Sequence, residues 1–269
     1  MNFETIILKK EDHVATLTFN RPEVMNAVNF KMFEELKAAL NDINEDDDIR
    51  VMILTGAGKA FCASIDIKEG GAQVGKRLLA DMSFEQIRQF LRHNPQKVTL
   101  GIRNMEKPTI AMMNGLAVAD GFDWALACDI RIGSDNAKFL SGFAKMGVFP
   151  NTGGTWLYPR VMGLSKALEL LYTNDWLSAE EAYSLGILNK LVPADQLEET
   201  TMALARKIAS GPPVALKLIK LQTYKGLEMS LEAALELAAD GEAVSLFTSD
   251  HIEAVSAFLE KREPKFTGE

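Results

Sequence analysis

The sequence predicts an α/β protein, a mixed or parallel sheet with crossover helices followed by a helical C-terminal third. Two observations carry this reading. Short, continuously apolar runs at Val51–Leu54, Ile110–Met113, Ile130–Ile132 and Ile187–Val192 have the character of strands covered on both faces, and helical patterns separate them. After Val192 strand character stops, and four helical patterns follow one another toward the end of the chain. A length of 269 residues suffices for one large α/β domain, or a domain with a smaller appendage, whose core needs no covalent staple.

Taken in order, Thr5–Lys9 and Val14–Phe19 alternate as strands across a turn at Glu11-Asp12 and predict an opening hairpin. Phe33, Leu36, Leu40 and Ile43 fall at helical spacing within Phe30–Ile43, and the acidic run Glu45-Asp46-Asp47-Asp48 ends that helix in solvent. Ser178-Ala179-Glu180-Glu181 is a capping box opening a helix that Gly186 closes. In the last third, Ala194–Ala209, Pro213–Lys225, Ser230–Leu246 and Asp250–Arg262 are helical, broken at Gly211-Pro212-Pro213 and at Gly226.

The composition, 47% hydrophobic and 25% charged, is that of an ordinary globular protein. A net charge of −8 disfavours a nucleic-acid partner. No apolar run approaches membrane-spanning length, and Met1-Asn2-Phe3-Glu4 has neither the basic nor the apolar region of a secretory signal. The expected location is therefore cytoplasmic, without a membrane partner. Cys62 and Cys128 suggest neither a disulfide framework nor a metal site, and His13, His93 and His251 lack partners at metal-ligand spacing. The expectation is no metal. There is no Gly-x-Ser-x-Gly elbow, no Walker A loop and no complete Gly-x-Gly-x-x-Gly after a strand.

Two loops are more informative. Thr55–Glu69 leaves the strand at Val51–Leu54, and Asn114–Asp123 leaves the one at Ile110–Met113, each through small residues that let a ligand approach the main chain. A helix starting near Asp120 would aim free N–H groups and its positive dipole end at such a ligand. Pattern alone also permits two ordinary strand-to-helix turns.

The two loops resemble the paired signatures of the crotonase (enoyl-CoA hydratase/isomerase) superfamily. Further matches fall in order along nearly the whole chain. They include Asn20-Arg21-Pro22, Asn26-Ala27, Phe139, Gly147, Pro150, Gly153-Gly154-Thr155, Leu185–Asn189 and Ser256–Arg262. The resemblance implies a crotonase-type repeated ββα spiral core holding the CoA and active sites over residues 1–192. It also implies a helical trimerisation region over 193–269, and a homotrimer or a hexamer built as a dimer of trimers. The implied substrate is an acyl-CoA thioester, with no cofactor beyond the coenzyme A that the substrate carries. The shared chemical step is formation of an enolate, its oxyanion held by two main-chain N–H groups; by position these belong to Ile65 and Asp120.

The chain departs from the family pattern at three places. The middle of three glycines in most relatives is Asp120 here, and an ionised side chain beside an incipient oxyanion works against catalysis unless it points away or is protonated. Of the two glutamates that typical hydratases use as general base and acid, the first maps onto Asp123 and the second onto Phe143, which carries no proton. A third position, acidic in several isomerases and in a dehalogenase, is Asn151, which removes the nucleophile an aryl-transfer mechanism needs. The stretch Phe143–Tyr158 is similar to the phenylacetate-pathway isomerases and hydratases. One carboxylate beside an oxyanion hole suffices to move a proton between carbons, which is double-bond isomerisation; hydration of an unusual unsaturated acyl-CoA is the other expectation. Without the resemblance, Asp123 is equally a first-turn helical Asp favoured by the dipole. The resemblance further points to Ala63, Ile65 and Lys68 as CoA contacts, to Phe143 and Asn151 as substrate contacts, and to Phe258 and Lys261 as residues reaching a neighbouring subunit's CoA. The alternatives are a catalytically weak acyl-CoA-binding homologue and, with little support from the charge, an RNA-binding protein.

Overall fold

The computed structural model describes residues 2–66 and 82–269. Its larger sheet runs β1(Ile6–Glu11), β2(Val14–Phe19), β3(Val51–Gly56), β5(Thr109–Met113), β7(Ile130–Ser134), β10(Lys190–Val192), all parallel except the β1–β2 hairpin. A second sheet orders β4(Ala60–Cys62), β6(Leu116–Val118), β8(Lys138–Leu140) and β9(Leu177–Ser178), parallel apart from β8–β9. The chain passes from one sheet to the other in repeated steps, β3 to β4, β5 to β6, β7 to β8, and then usually enters a helix. This is the ββα spiral that the resemblance implies. The helices are α1(Phe30–Glu45), α2(Phe84–His93), α3(Pro95–Arg103), α4(Asp120–Ala127), α5(Gly154–Met162), α6(Leu164–Thr173) and α7(Ala179–Ser184), then α8(Leu197–Ala209), α9(Pro213–Gly226), α10(Leu231–Leu246) and α11(Ser249–Glu260).

β3 is buried at every residue, as a doubly covered strand must be. Its sheet has α8 on one side, where Ala205 and Ala209 meet Val51, Ile53 and Ile110. The other side faces the main core, with Phe19, Phe61, Phe122, Trp124, Phe139 and Tyr158. The capping box at Ser178 and Glu181 forms in both directions, at 3.2 and 2.9 Å. The C-terminal helices follow the sequence boundaries within about two residues.

Three expectations need correction. The hairpin turns at Asp12-His13, both with left-handed φ (49° and 64°), because Glu11 is still paired with Val14. Ile187 and Leu188 are not strand: both their N–H groups donate to the Ala182 carbonyl, at 2.9 and 3.1 Å, so this buried apolar pair closes α7 and only Lys190–Val192 joins the sheet. The stretches Thr55–Glu69 and Asn114–Asp123 are not wholly loop, since β4 and β6 lie within them and pair with each other. No helix among the described residues is long and apolar enough to cross a membrane.

Candidate active site

The site is built where β4 and β6 hand the chain to their following loops. Asn26 stitches the first loop together. Its amide donates to the carbonyls of Ala57 and Ala60 at 2.9 and 2.8 Å, while its Oδ1 accepts from Arg21 N–H. Asn114 does the same from the second, donating to Gly58 and Ala60 carbonyls at 3.0 and 3.1 Å. Arg21 then binds Asp66 at 2.9 Å and the Ala27 carbonyl at 2.7 Å, which fixes the backbone directly after Ile65. A one-residue bridge to Val28 uses Val28 N–H to Ser64 carbonyl and Asp66 N–H to Val28 carbonyl. The N–H of Ile65 therefore points to the opposite side and has no main-chain acceptor among the described residues.

Helix α4 begins at Asp120 with no side-chain cap, so the N–H groups of its first turn have no intrahelical partner. It starts directly against β4: a Cβ at Gly121 would lie 2.4 Å from the Cys62 carbonyl oxygen, so only glycine permits the approach. Two residues beside the donors hold strained backbones, Ser64 at φ 75° and Ala119 at φ 46°, a conformation that costs a non-glycine residue about 1–2 kcal/mol. Thus the two N–H groups assigned from sequence lie on loops that are tied together.

Asp123, one turn into α4, is wholly buried. Its Oδ2 accepts from Thr152 Oγ1 at 2.6 Å and from Gly154 N–H, the start of α5, at 3.0 Å. Gly154 makes room for it, since a Cβ there would lie 2.9 Å from Oδ1. Oδ1 itself is buried without a partner among the described residues, as are Asp120 Oδ1, Ser141 Oγ, Asn151 Oδ1 and the Tyr158 hydroxyl. Burial, reinforced by the neighbouring Asp120, pushes Asp123 up to about 8, although Thr152 and Gly154 pull it down. Burial raises Asp120 as well, against the pull of Ser64 and Thr152. It also lifts the Tyr158 hydroxyl far above its usual range, with Asp123 adding to the effect.

The structure thus brings Ala63, Ile65, Asp120, Asp123 and Asn151 to the neighbourhood of the two loops and the start of α5. Asn151 is held through its carbonyl by Gln96 Nε2 at 3.0 Å, and Phe143 is buried at the end of the β8 loop. Lys68 lies outside the described residues. Phe258 and Lys261 sit at the exposed end of α11, away from both loops in the sequence and in its contacts; Phe258 is 82% exposed. His93 is exposed at the end of α2 and pairs with Gln89 at 3.0 Å, so it takes no part in the buried cluster. No group of three or more His, Cys, Asp or Glu side chains suited to a metal occurs among the described residues. Sequence reasoning missed Ser64, Ser141, Thr152 and Tyr158. The only available signal was Ser64, a hydroxyl within an otherwise small and apolar loop opposite an unexpected Asp120.

Comparison with known proteins gives a consistent picture. The family profile described as enoyl-CoA hydratase/isomerase matches residues 9–269. A crotonyl-CoA hydratase of Syntrophomonas wolfei is 37% identical over 267 residues, 99% of each chain. A 1,2-epoxyphenylacetyl-CoA isomerase of Escherichia coli is 38% identical, over 98% of this chain and 99% of that one. The crystal structure of an enoyl-CoA hydratase from Bacillus anthracis superposes with a TM-score of 0.91 at 35% identity, covering 99% of this chain and 100% of the other.

Proposed function

The chain belongs to the enoyl-CoA hydratase/isomerase family, and from that premise we propose that it moves a double bond in, or hydrates, an unsaturated acyl-CoA through one proton-carrying carboxylate, Asp123. The observation that carries this reading is the Asp123 carboxyl itself. It is buried, held by Thr152 and Gly154 through one oxygen, and left with the other oxygen free. Its pKa near 8 suits a group that takes and returns a proton close to neutral pH.

In this reading the thioester oxygen binds between the N–H groups of Ile65 and Asp120. Charge that develops on it as the α-carbon loses its proton meets donors already in place. Asp123 takes that proton through Oδ1 and returns it to the γ-carbon, which shifts the double bond. Phe143, where a second glutamate would supply a proton for ordinary hydration, is apolar and buried, and this favours isomerisation over hydration of simple enoyl chains. The CoA part of the substrate would run along Ala63 and Lys68, with Asn151 and Phe143 near the acyl group. Phe258 and Lys261 would meet the CoA bound by a neighbouring copy.

The test is Asp123→Asn, assayed on a panel of β,γ-unsaturated, cyclic and dienoyl CoA esters. An isosteric amide keeps the shape and loses the basicity, so kcat should fall by about 10²–10⁴, with acyl-CoA affinity measured by calorimetry nearly unchanged. Wild-type kcat in the variant overturns the assignment. Tight binding by the wild-type protein with no turnover across the panel favours an acyl-CoA-binding homologue instead.

A further inference from the structure

The Asp120 side chain is the least expected feature of the site, and it links the two loops that carry the assigned oxyanion donors. Its Oδ2 accepts from Ser64 Oγ at 2.5 Å, across from the second loop to the first. Its own main-chain N–H faces the same carboxyl group. Ser64 immediately precedes Ile65, whose N–H is the other donor. The carboxyl thus lies against the neighbour of one assigned donor residue, is 1% exposed, and keeps Oδ1 buried without a partner among the described residues.

We propose that the Asp120 carboxyl group donates its O–H to the thioester oxygen, adding a side-chain donor to the two main-chain donors of the oxyanion site. The inference rests on the acyl-CoA reading above and goes further by giving this side chain a role. Ser64 donates to Oδ2, so a proton on the acid resides on Oδ1, the oxygen with no other partner. A buried, unpartnered oxygen on an ionised carboxylate is costly, whereas a neutral acid that donates to a ligand is satisfied. Burial holds the group toward the neutral form, and an acid kept neutral by its surroundings is a strong donor to a developing enolate. Of the titratable groups that face it, only Asp123 ionises near neutral pH, because burial keeps Tyr158 and Cys62 neutral there. Asp123 from α4, Tyr158 from α5 and Cys62 from β4 each become negative on losing a proton. The cation on the first loop, Arg21, is paired with Asp66. The two carboxyls repel, so the site loses its protons in two steps, and the inference requires that the proton left after the first step lies on Asp120 when substrate is bound. Above the second ionisation, Asp120 becomes an anion seated against the oxyanion site and opposes the enolate.

Acetoacetyl-CoA tests this without requiring turnover, because its enolate absorbs in the near ultraviolet and binding of that form reports the oxyanion site directly. Enolate affinity would be measured against pH for the wild-type protein, Asp120→Asn and Asp120→Gly. The wild-type protein should bind the enolate well and lose it at alkaline pH. Asp120→Asn, which keeps an N–H donor and nearly the same shape, should stay within about tenfold of it, and it should lose the alkaline fall when both proteins also carry Asp123→Asn, which removes the other titrating carboxyl. Asp120→Gly should bind the enolate at least about tenfold more weakly, in line with the loss of one preorganised donor. If Asp120→Gly binds as tightly as the wild-type protein or more tightly, the side chain is an obstruction and the inference is overturned. An alkaline fall that persists unchanged in Asp120→Asn on the Asp123→Asn background overturns it too. Failure of all three proteins to bind acetoacetyl-CoA would instead contradict the acyl-CoA reading on which the inference rests.

Discussion

Asp123 accepts two hydrogen bonds and still titrates far above an ordinary aspartate, because complete burial outweighs both donors. That balance has a consequence for stability. In the unfolded chain the group loses its proton near pH 4, and in the folded protein only near 8. Between those values the folded state binds the extra proton, so stability falls as pH rises from about 4 to about 8. At neutral pH the cost is on the order of 4 kcal/mol, an upper figure that local relaxation reduces. Asp123→Asn should therefore raise the melting temperature at pH 7, and the gain should disappear near pH 4. A variant that falls further below the wild-type protein at pH 7 than at pH 4 would mean that the carboxylate is stabilised in the fold rather than strained. Phe143 gives a second prediction: crotonyl-CoA hydration should be slow, and Phe143→Glu should raise it by supplying the missing acid, if the buried pocket admits the group. A wild-type hydration rate already matching that of two-glutamate relatives would show that the second acid is dispensable here. Asp123, Ile65 and Asp120 were legible in the sequence because they occupy motif positions next to strand ends. The hydroxyls that complete the cluster were not. Thr152 arrives from the turn before α5 and Tyr158 from α5 itself, more than 25 residues away, and nothing in a local pattern couples a threonine to a distant aspartate.

Elements with a clear period were read well, and those without one were not. α1 and α8 repeat an apolar face, and Pro and Gly breaks bound the helices that follow, so these boundaries are close to those read from the sequence. β4, β6 and β8 have three residues each, too few to show alternation. They lie within loops rich in small residues, and only pairing with one another defines them. Ile187-Leu188 misled for the opposite reason, since an apolar pair that closes a helix looks like the start of a buried strand. A different link, invisible in the sequence, docks α9 on the core. Lys220 from α9 meets Asp129 at 2.9 Å, with side chains 8% and 18% exposed. The same carboxylate accepts from Thr109 N–H and from the Tyr224 hydroxyl. Removing the anion leaves a desolvated ammonium, so Asp129→Asn should cost about 3–5 kcal/mol in urea unfolding. Lys220→Met, which replaces the charge with an apolar chain, should cost clearly less. Equal losses in the two variants would show that the charge pairing is not what secures α9.

At the scale of the whole molecule, the C-terminal helices expose more apolar surface than one chain needs. Ile219, Leu235, Leu246, Phe247, Ile252, Phe258 and Leu259 all stand open, from 48% to 92% exposed. Apolar side chains exposed in this number suit an interface, and we propose an assembly of three or six copies, with residues 193–269 as the oligomerisation region. Light scattering at micromolar concentration should give about three or six times the 29.6 kDa chain mass; a monomer would contradict that expectation. The largely parallel character of the sheet and the helical C-terminal third were both legible because strand and helix alternate along the chain up to Val192 and strands then stop. The pairing of exposed helices with another copy leaves only unassigned hydrophobics in one sequence. The central claim, a single carboxylate carrying a proton beside an oxyanion site, is tested most directly by incubating the protein with vinylacetyl-CoA in deuterium oxide and following deuterium at the α- and γ-carbons by mass spectrometry. The account predicts incorporation by the wild-type protein and a loss of about 10²–10⁴ in its rate in Asp123→Asn. Exchange at the wild-type rate in that variant would contradict it.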